Sequence, residues 1–293
     1  MTDHIIRATA AQERIRAFAV DSTELVAEAR EIHHTFPVVT AALGRLLSAG
    51  AMMGSMMKGD EDLITLTMKG DGPMGSLTVT ADSHGNVKGF PGNPSVDIPT
   101  RGEGKLDVGG AIGQGILTVS MDLGLKEPYN GQVELQTGEI GDDLAYYFTV
   151  SEQTPSAVAL GVMVDKDSSV RHSGGFIIQL MPEAPEEVIA SLEAKLAELD
   201  PVTALMERGL GPAEILELIL GDLDLVITEE KPVRFHCNCS RERISSALAT
   251  LSTADLQSII ADDEEIEVKC FFCNSAYKFG TDELREILAG RTA

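Results

Sequence analysis

The chain has 293 residues, enough for two domains with separate cores, and its 43% hydrophobic and 24% charged residues exclude wholesale disorder. Forty-six acidic against 23 basic residues leave a formal charge of −23, a surface that repels phosphate backbones and anionic membranes and argues against both as partners. The four cysteines all lie between residues 237 and 273, too few and too localised for a secreted disulfide scaffold.

The opening MTDHIIRATA carries an acidic residue at position 3 and no apolar stretch, as expected of a chain without a secretory signal, so a cytoplasmic, reducing location is expected. Residues 14–20, RIRAFAV, alternate polar and apolar as a half-buried strand does. A helical pattern follows over Thr23–His34. Residues 35–57, TFPVVTAALGRLLSAGAMMGSMM, hold one charge, Arg45, at their centre. That Arg, three glycines and several hydroxyls make a bilayer a poor home, and a core helix is expected, with Met52, Met53, Met56 and Met57 as filler. Short β-branched runs at Leu63–Met68 and Ser76–Ala81 flank the turn cluster KGDGPMG. Gly109–Gly115 has neither a Walker lysine nor GxGxxG spacing, so it reads as a turn before a strand. Runs at Gly115–Met121, Gln132–Gln136, Ala157–Val164 and Phe176–Leu180, with a helix over Glu139–Val150, complete an α+β domain with a largely antiparallel sheet over 1–180. The histidines, His33, His34, His84 and His172 among them, lack any catalytic signature and read as scattered surface groups.

Composition changes after Pro182. Twenty-three of the 28 glycines precede residue 176. Residues 181–232 hold 13 acidic and three basic side chains and no aromatic one. Pro185-Glu186-Glu187 opens one helix, with carboxylates near the positive end of its dipole and Val188, Leu192, Leu196 and Leu199 as its stripe. Pro212–Leu220 forms another. Such helices need a partner surface, and 181–232 therefore reads as an acidic, helical linker.

The remainder, 233–293, is a small module. Ser240, Thr253 and Thr281 are placed to cap three helices, and Glu267–Cys270 and Ala276–Phe279 to form two strands joined by a tight knuckle. Cys237-Asn238-Cys239 and Cys270-Phe271-Phe272-Cys273 supply four thiolates from two turns, the pattern of a tetrahedral zinc site. His236 adjoins the first pair, but four cysteines already fill the shell. Taken alone, such a centre is most simply a static structural ribbon. Its sulfurs are nonetheless thiolates, the form that oxidants attack, so a redox switch is open to it. Asp262, Asp263, Glu264, Glu265 and Glu267 disfavour free thiolates, and Arg241, Arg243 and Lys269 partly offset them.

These motifs resemble those of the redox-regulated 33 kDa chaperonin family of bacteria. The resemblance spans nearly the whole chain: IIRATA at 5–10, EPYNGQVEL at 127–135, GEIGDDLAYYF at 138–148, SEQTPSAVALGV at 151–162, GGFIIQLMP at 174–182 and CNCSRER at 237–243. It implies a chaperone, not an enzyme, that holds unfolding client proteins without ATP. One Zn2+ would be bound by Cys237, Cys239, Cys270 and Cys273 in an inactive reduced form. Oxidation would form Cys237–Cys239 and Cys270–Cys273 disulfides, expel the zinc, free the linker and yield an active homodimer. Two other readings stay open: a thiol oxidoreductase using Cys270 and Cys273, and a static zinc ribbon that binds a partner. A nucleic-acid ribbon is disfavoured by the ten acidic and seven basic groups of 233–293.

Overall fold

The computed structural model describes residues 2–290, apart from the side chain of Glu103, and divides into two units, residues 1–236 and residues 237–293. The first unit opens with strands β1 (His4–Ala10) and β2 (Ile15–Asp21), then helices α1 (Thr23–His33) and α2 (Pro37–Gly54). A meander follows: β3 (Leu63–Gly70), β4 (Ser76–Asp82) and β5 (Asn86–Pro91). Next come α3 (Val108–Ile112), β6 (Gly115–Asp122), β7 (Tyr129–Glu134), α4 (Gly141–Val150), β8 (Ser156–Val164) and β9 (Val170–Leu180). Helices α5 (Glu186–Ala197), α6 (Val202–Glu207) and α7 (Pro212–Leu220) lead to β10 (Val226–Pro232) and β11 (Arg234–Phe235). The strands form two sheets, ordered β10-β1-β2-β9-β8 and β11-β5-β4-β3-β6-β7, antiparallel except for the short β11–β5 pair. The expected α+β class holds.

Helix α2 lies between the sheets, touching β2, β8 and β9 of one and β3, β4 and β5 of the other. Its apolar residues run round the whole circumference, which suits a helix buried on all sides. Close approach is what its glycines permit: a Cβ at Gly50 would stand 2.6 Å from Val79 Cγ1. It is long and apolar enough to span a bilayer, but 89% of it is buried inside the protein. Met52 and Met53 are core residues, and Arg45 reaches out to Glu139 Oε2 at 2.7 Å.

Three details depart from the sequence reading. Gly109–Ile112 is not a turn but part of α3, capped by Asp107, whose side chain accepts from the Gly110 amide. His33 is buried, its Nε2 2.9 Å from the Gly89 carbonyl, and is no surface group. The end of the 181–232 segment is not helical: β10 pairs with β1 in register His4↔Pro232 to Thr9↔Val226. An edge strand with one solvated face and three charges gives little apolar signal of its own.

The α5–α7 helices pack on the face of the first sheet that points away from α2. Ile6, Ala8, Ile15, Ala17, Phe176 and Ile178 meet Leu192, Leu205, Ile215, Leu216, Ile219 and Leu220 in one buried cluster. Ion pairs and a hydrogen bond fix the same helices at their rims: Glu207 pairs with Arg171 at 2.6 Å and hydrogen-bonds His172 at 2.7 Å, and Lys195 reaches Asp222 at 2.6 Å.

Helix α1 is capped from a distance. Ser22, at its N-cap, spends its hydroxyl on Ser48 and Ser173. The Glu24 and Leu25 amides instead donate to the buried Asp3 carboxylate, at 3.1 and 2.7 Å. Burial, opposed by those two hydrogen bonds, pushes the Asp3 carboxyl up from the usual 3.8 to about 6. A raised acid binds its proton more tightly when folded. Stability from this group is therefore full below pH 4 and is lost as pH rises through 6, about 3 kcal/mol. A carboxyl-carbon NMR titration of Asp3 should give a midpoint near 6, and Asp3→Asn should flatten the slope of stability between pH 4 and 6. A midpoint near 4 would refute this.

Candidate metal centre

The second unit begins at Cys237 and contains α8 (Arg241–Leu248), α9 (Thr253–Ala261), β12 (Ile266–Lys269), β13 (Ala276–Phe279) and α10 (Thr281–Ala289). Ser240 caps α8 as its sequence suggests, accepting from the Arg243 amide. The other two caps fall one residue earlier than expected. Ser252 caps α9 through its hydroxyl and Gly280 precedes α10, which leaves Thr253 and Thr281 as first helical residues. The β12–β13 hairpin pairs Lys269 with Ala276 and so closes the 270–275 turn. Within that turn the Cys270 amide donates to the Ser275 carbonyl at 3.0 Å, and the Asn274 amide to the Cys270 carbonyl at 2.8 Å. Asn274 takes the left-handed conformation, at φ 56°, that turns the chain back. This is a knuckle that aims Cys270 and Cys273 to one side.

The four sulfurs meet there. Cys237 Sγ stands 3.7 Å from Cys270 Sγ, Cys239 Sγ stands 3.3 Å from Cys273 Sγ, and all four lie within 4.8 Å of one another. Four sulfurs bonded at about 2.3 Å to one tetrahedral cation would stand about 3.8 Å apart. The donor set therefore fits a metal ion. His236 is exposed and outside this cluster.

Charge explains why such a cluster calls for a cation. Four thiolates this close repel one another, and a cation bound among them offsets that repulsion. Burial pushes the Cys237 and Cys239 thiols up from 9.0. At Cys273 burial acts the same way but is outweighed by hydrogen bonds, first the one with the Ser275 hydroxyl 3.2 Å away, which bring it down to about 7. Tyr277 was not singled out by its sequence position. Its hydroxyl lies 3.2 Å from Cys239 Sγ, and that sulfur pushes the phenol up to about 12, so the phenol keeps its proton as a donor to the thiolate.

Arg241 does not offset the acidic surroundings of the sulfurs, as its charge suggested it would. It forks onto Glu283 at 3.1 and 2.6 Å, donates to the Lys278 carbonyl at 2.7 Å and covers the Phe279 ring at 4.6 Å. It thereby ties α8 to β13 and α10. Among the described residues, the buried apolar cluster of the unit is Leu248, Leu256, Phe279 and Leu284, with partly buried neighbours such as Ile244, Ile260 and Val268 packed against it.

The family model for Hsp33 protein matches residues 3–280. The chain belongs to the Hsp33 family. It is 66% identical over 287 residues to the 33 kDa chaperonin of Agathobacter rectalis, covering 98% of this chain and 100% of that one. The 33 kDa chaperonin of Lachnoclostridium phytofermentans is 54% identical over 288 residues, covering 98% and 99%. The crystal structure of the 33 kDa chaperonin (heat shock protein 33 homolog) of Thermotoga maritima superposes with a TM-score of 0.91 at 35% identity, covering 100% of this chain and 99% of that one. Family membership therefore rests on the whole Hsp33 architecture as well as on four cysteines.

Proposed function

We propose that this Hsp33-family chaperone is a redox-switched holdase, which binds unfolding proteins without ATP and turns over no substrate. The observation that carries the reading is the four-sulfur cluster in a small unit with few buried apolar side chains. Cys237, Cys239, Cys270 and Cys273 would hold one Zn2+, which supplies the positive charge and the cross-link that the unit lacks. Three functional parts follow: a core over 1–180, a strap over 181–232 and a sensor over 233–293. Docking of the strap is coupled to folding of the sensor.

Each disulfide forms when two thiolates give two electrons to one peroxide, which takes up two protons and leaves as two waters. Two peroxides thus consume all four ligands. Distance does not choose the pairs, since the separations of 3.7 and 3.3 Å join different turns. The family resemblance implies Cys237–Cys239 and Cys270–Cys273. Cross-pairing would staple the two ligand turns together and keep the sensor shut. Cys237–Cys239 and Cys270–Cys273 bridges leave nothing joining the turns. The freed strap then uncovers Ile6, Ala8, Phe176 and Ile178, an apolar sheet face suited to unfolding clients. The active species is a cytoplasmic homodimer whose partners are unfolded proteins, with no part for nucleic acid or membrane.

Mild peroxide with gentle warming should release one zinc per chain, leave no free thiol, and give a protein that suppresses aggregation of an unfolding client. Peptide mapping should find the two local bridges. Protein that keeps its metal and fails to suppress aggregation after peroxide would leave a static ribbon as the better account. Turnover of a disulfide substrate would favour an oxidoreductase.

A further inference from the structure

We infer that the free edge of β8 takes up an extended, apolar client segment as an added strand; this rests on the holdase reading above. Strand β8 closes one side of the five-stranded sheet, and among the described residues only β9 pairs with it. The ladder phase is set by the Leu180 amide, which donates to the Pro155 carbonyl. In register with it, Ala157, Ala159 and Gly161 bond to β9, so the N–H and C=O groups of Val158, Leu160 and Val162 point outward. Gly141 closes over the Val158 carbonyl. Among the described residues, the outward groups of Leu160 and Val162 find no protein partner.

The two edges of this sheet are built differently. Strand β10 carries Glu229, Glu230, Lys231 and Pro232, the charges and proline that block unwanted pairing. Strand β8 reads SAVALGVMV, with no charge and no proline. An edge of that kind invites another strand.

What fits it is set by its surroundings. The edge lies in a cavity of about 720 Å3, to which Ala41 and Arg45 of α2 contribute on one face and Val202 and Thr203 of α6 on the other. Thr203 sits against Gly161, while Val162 faces Gly44 of α2. A single extended segment enters such a slot. A second copy's β8 would bring its own flanking walls into these. Because α6 belongs to the strap, the slot widens when the strap leaves, so the site should work chiefly in the oxidised protein. Backbone pairing also suits varied clients, since every unfolded chain offers the same ladder.

The test uses a fluorescein-labelled ten-residue peptide of alternating Val and Thr, and the same peptide N-methylated on alternate residues, titrated into the full-length oxidised protein by anisotropy. The unmethylated peptide should bind and compete with a client, and methylation should weaken it roughly tenfold to hundredfold by removing the donors that face β8. Leu160→Pro removes an outward N–H that β9 does not use, and should weaken the peptide about tenfold while zinc content and unfolding temperature of the reduced form stay unchanged. Equal binding of the two peptides, which needs no variant, overturns the inference. So does a wild-type dimer that Leu160→Pro converts to monomer, which would make the edge a contact between copies. Wild-type oxidised protein that suppresses no aggregation would instead sink the holdase reading itself.

Discussion

Chelating the metal from the reduced protein should unfold residues 237–290 and loosen the strap while leaving the core over 1–180 folded. Structural zinc in small modules contributes apparent free energies of about 10 kcal/mol or more at neutral pH. Nothing else in this unit is of that size. Among its described residues the buried apolar set is Leu248, Leu256, Phe279 and Leu284, with eight partly buried side chains packed against it, and the ion pair of Arg241 with Glu283 is exposed and screened by solvent. Removing the cation also leaves four close sulfurs without the charge that offsets their repulsion. Amide exchange should show the loss at Val268 and Tyr277, whose strands pair across the hairpin, with β2 and β9 still protected. Cys237→Ser and Cys270→Ser should behave alike, because each takes one of four donors. Unchanged protection at Val268 after chelation would mean that the sulfurs are incidental to folding, and the proposed sensor would have no signal to transmit.

Much of this was legible in the chain itself. The cysteine spacing is a local signal, since ligands two or three residues apart must share a turn, and the cluster assembled as that spacing implies. Helices α2, α5 and α7 declared themselves by the period and extent of their apolar residues. What stayed hidden was non-local. Strand β10 exists because β1 offers it a ladder some 220 residues away in sequence, and its own residues show no stripe. Asp3 caps α1 across about twenty residues, so no local capping motif announces it. Tyr277 becomes a partner of Cys239 only once the hairpin has formed. The same holds for the unpaired edge of β8, whose apolar run reads as an ordinary buried strand until its neighbours are known.

Leu216→Ser should produce a protein that suppresses aggregation while still reduced and zinc-loaded. Leu216 is fully buried between α7 and the sheet, among Ile6, Ile15 and Phe176. Trading it for Ser removes a large apolar side chain and leaves a hydroxyl to be buried, a cost of roughly 3–5 kcal/mol. The strap carries a net charge of −10 and no aromatic anchor, so its docking rests on such leucines and on a few rim ion pairs. A loss of that size falls on docking while the four sulfurs are untouched. The variant therefore separates two events that oxidation joins. Zinc content and thiol count should match the wild type, limited proteolysis should cut within 181–232, and aggregation suppression should appear without peroxide. Glu207→Gln, which loosens only the Arg171 and His172 contacts, should move the same way by about 1 kcal/mol or less. If Leu216→Ser opens the strap to protease yet leaves the reduced protein inactive, then uncovering the sheet face is insufficient, and sensor unfolding must contribute surface of its own.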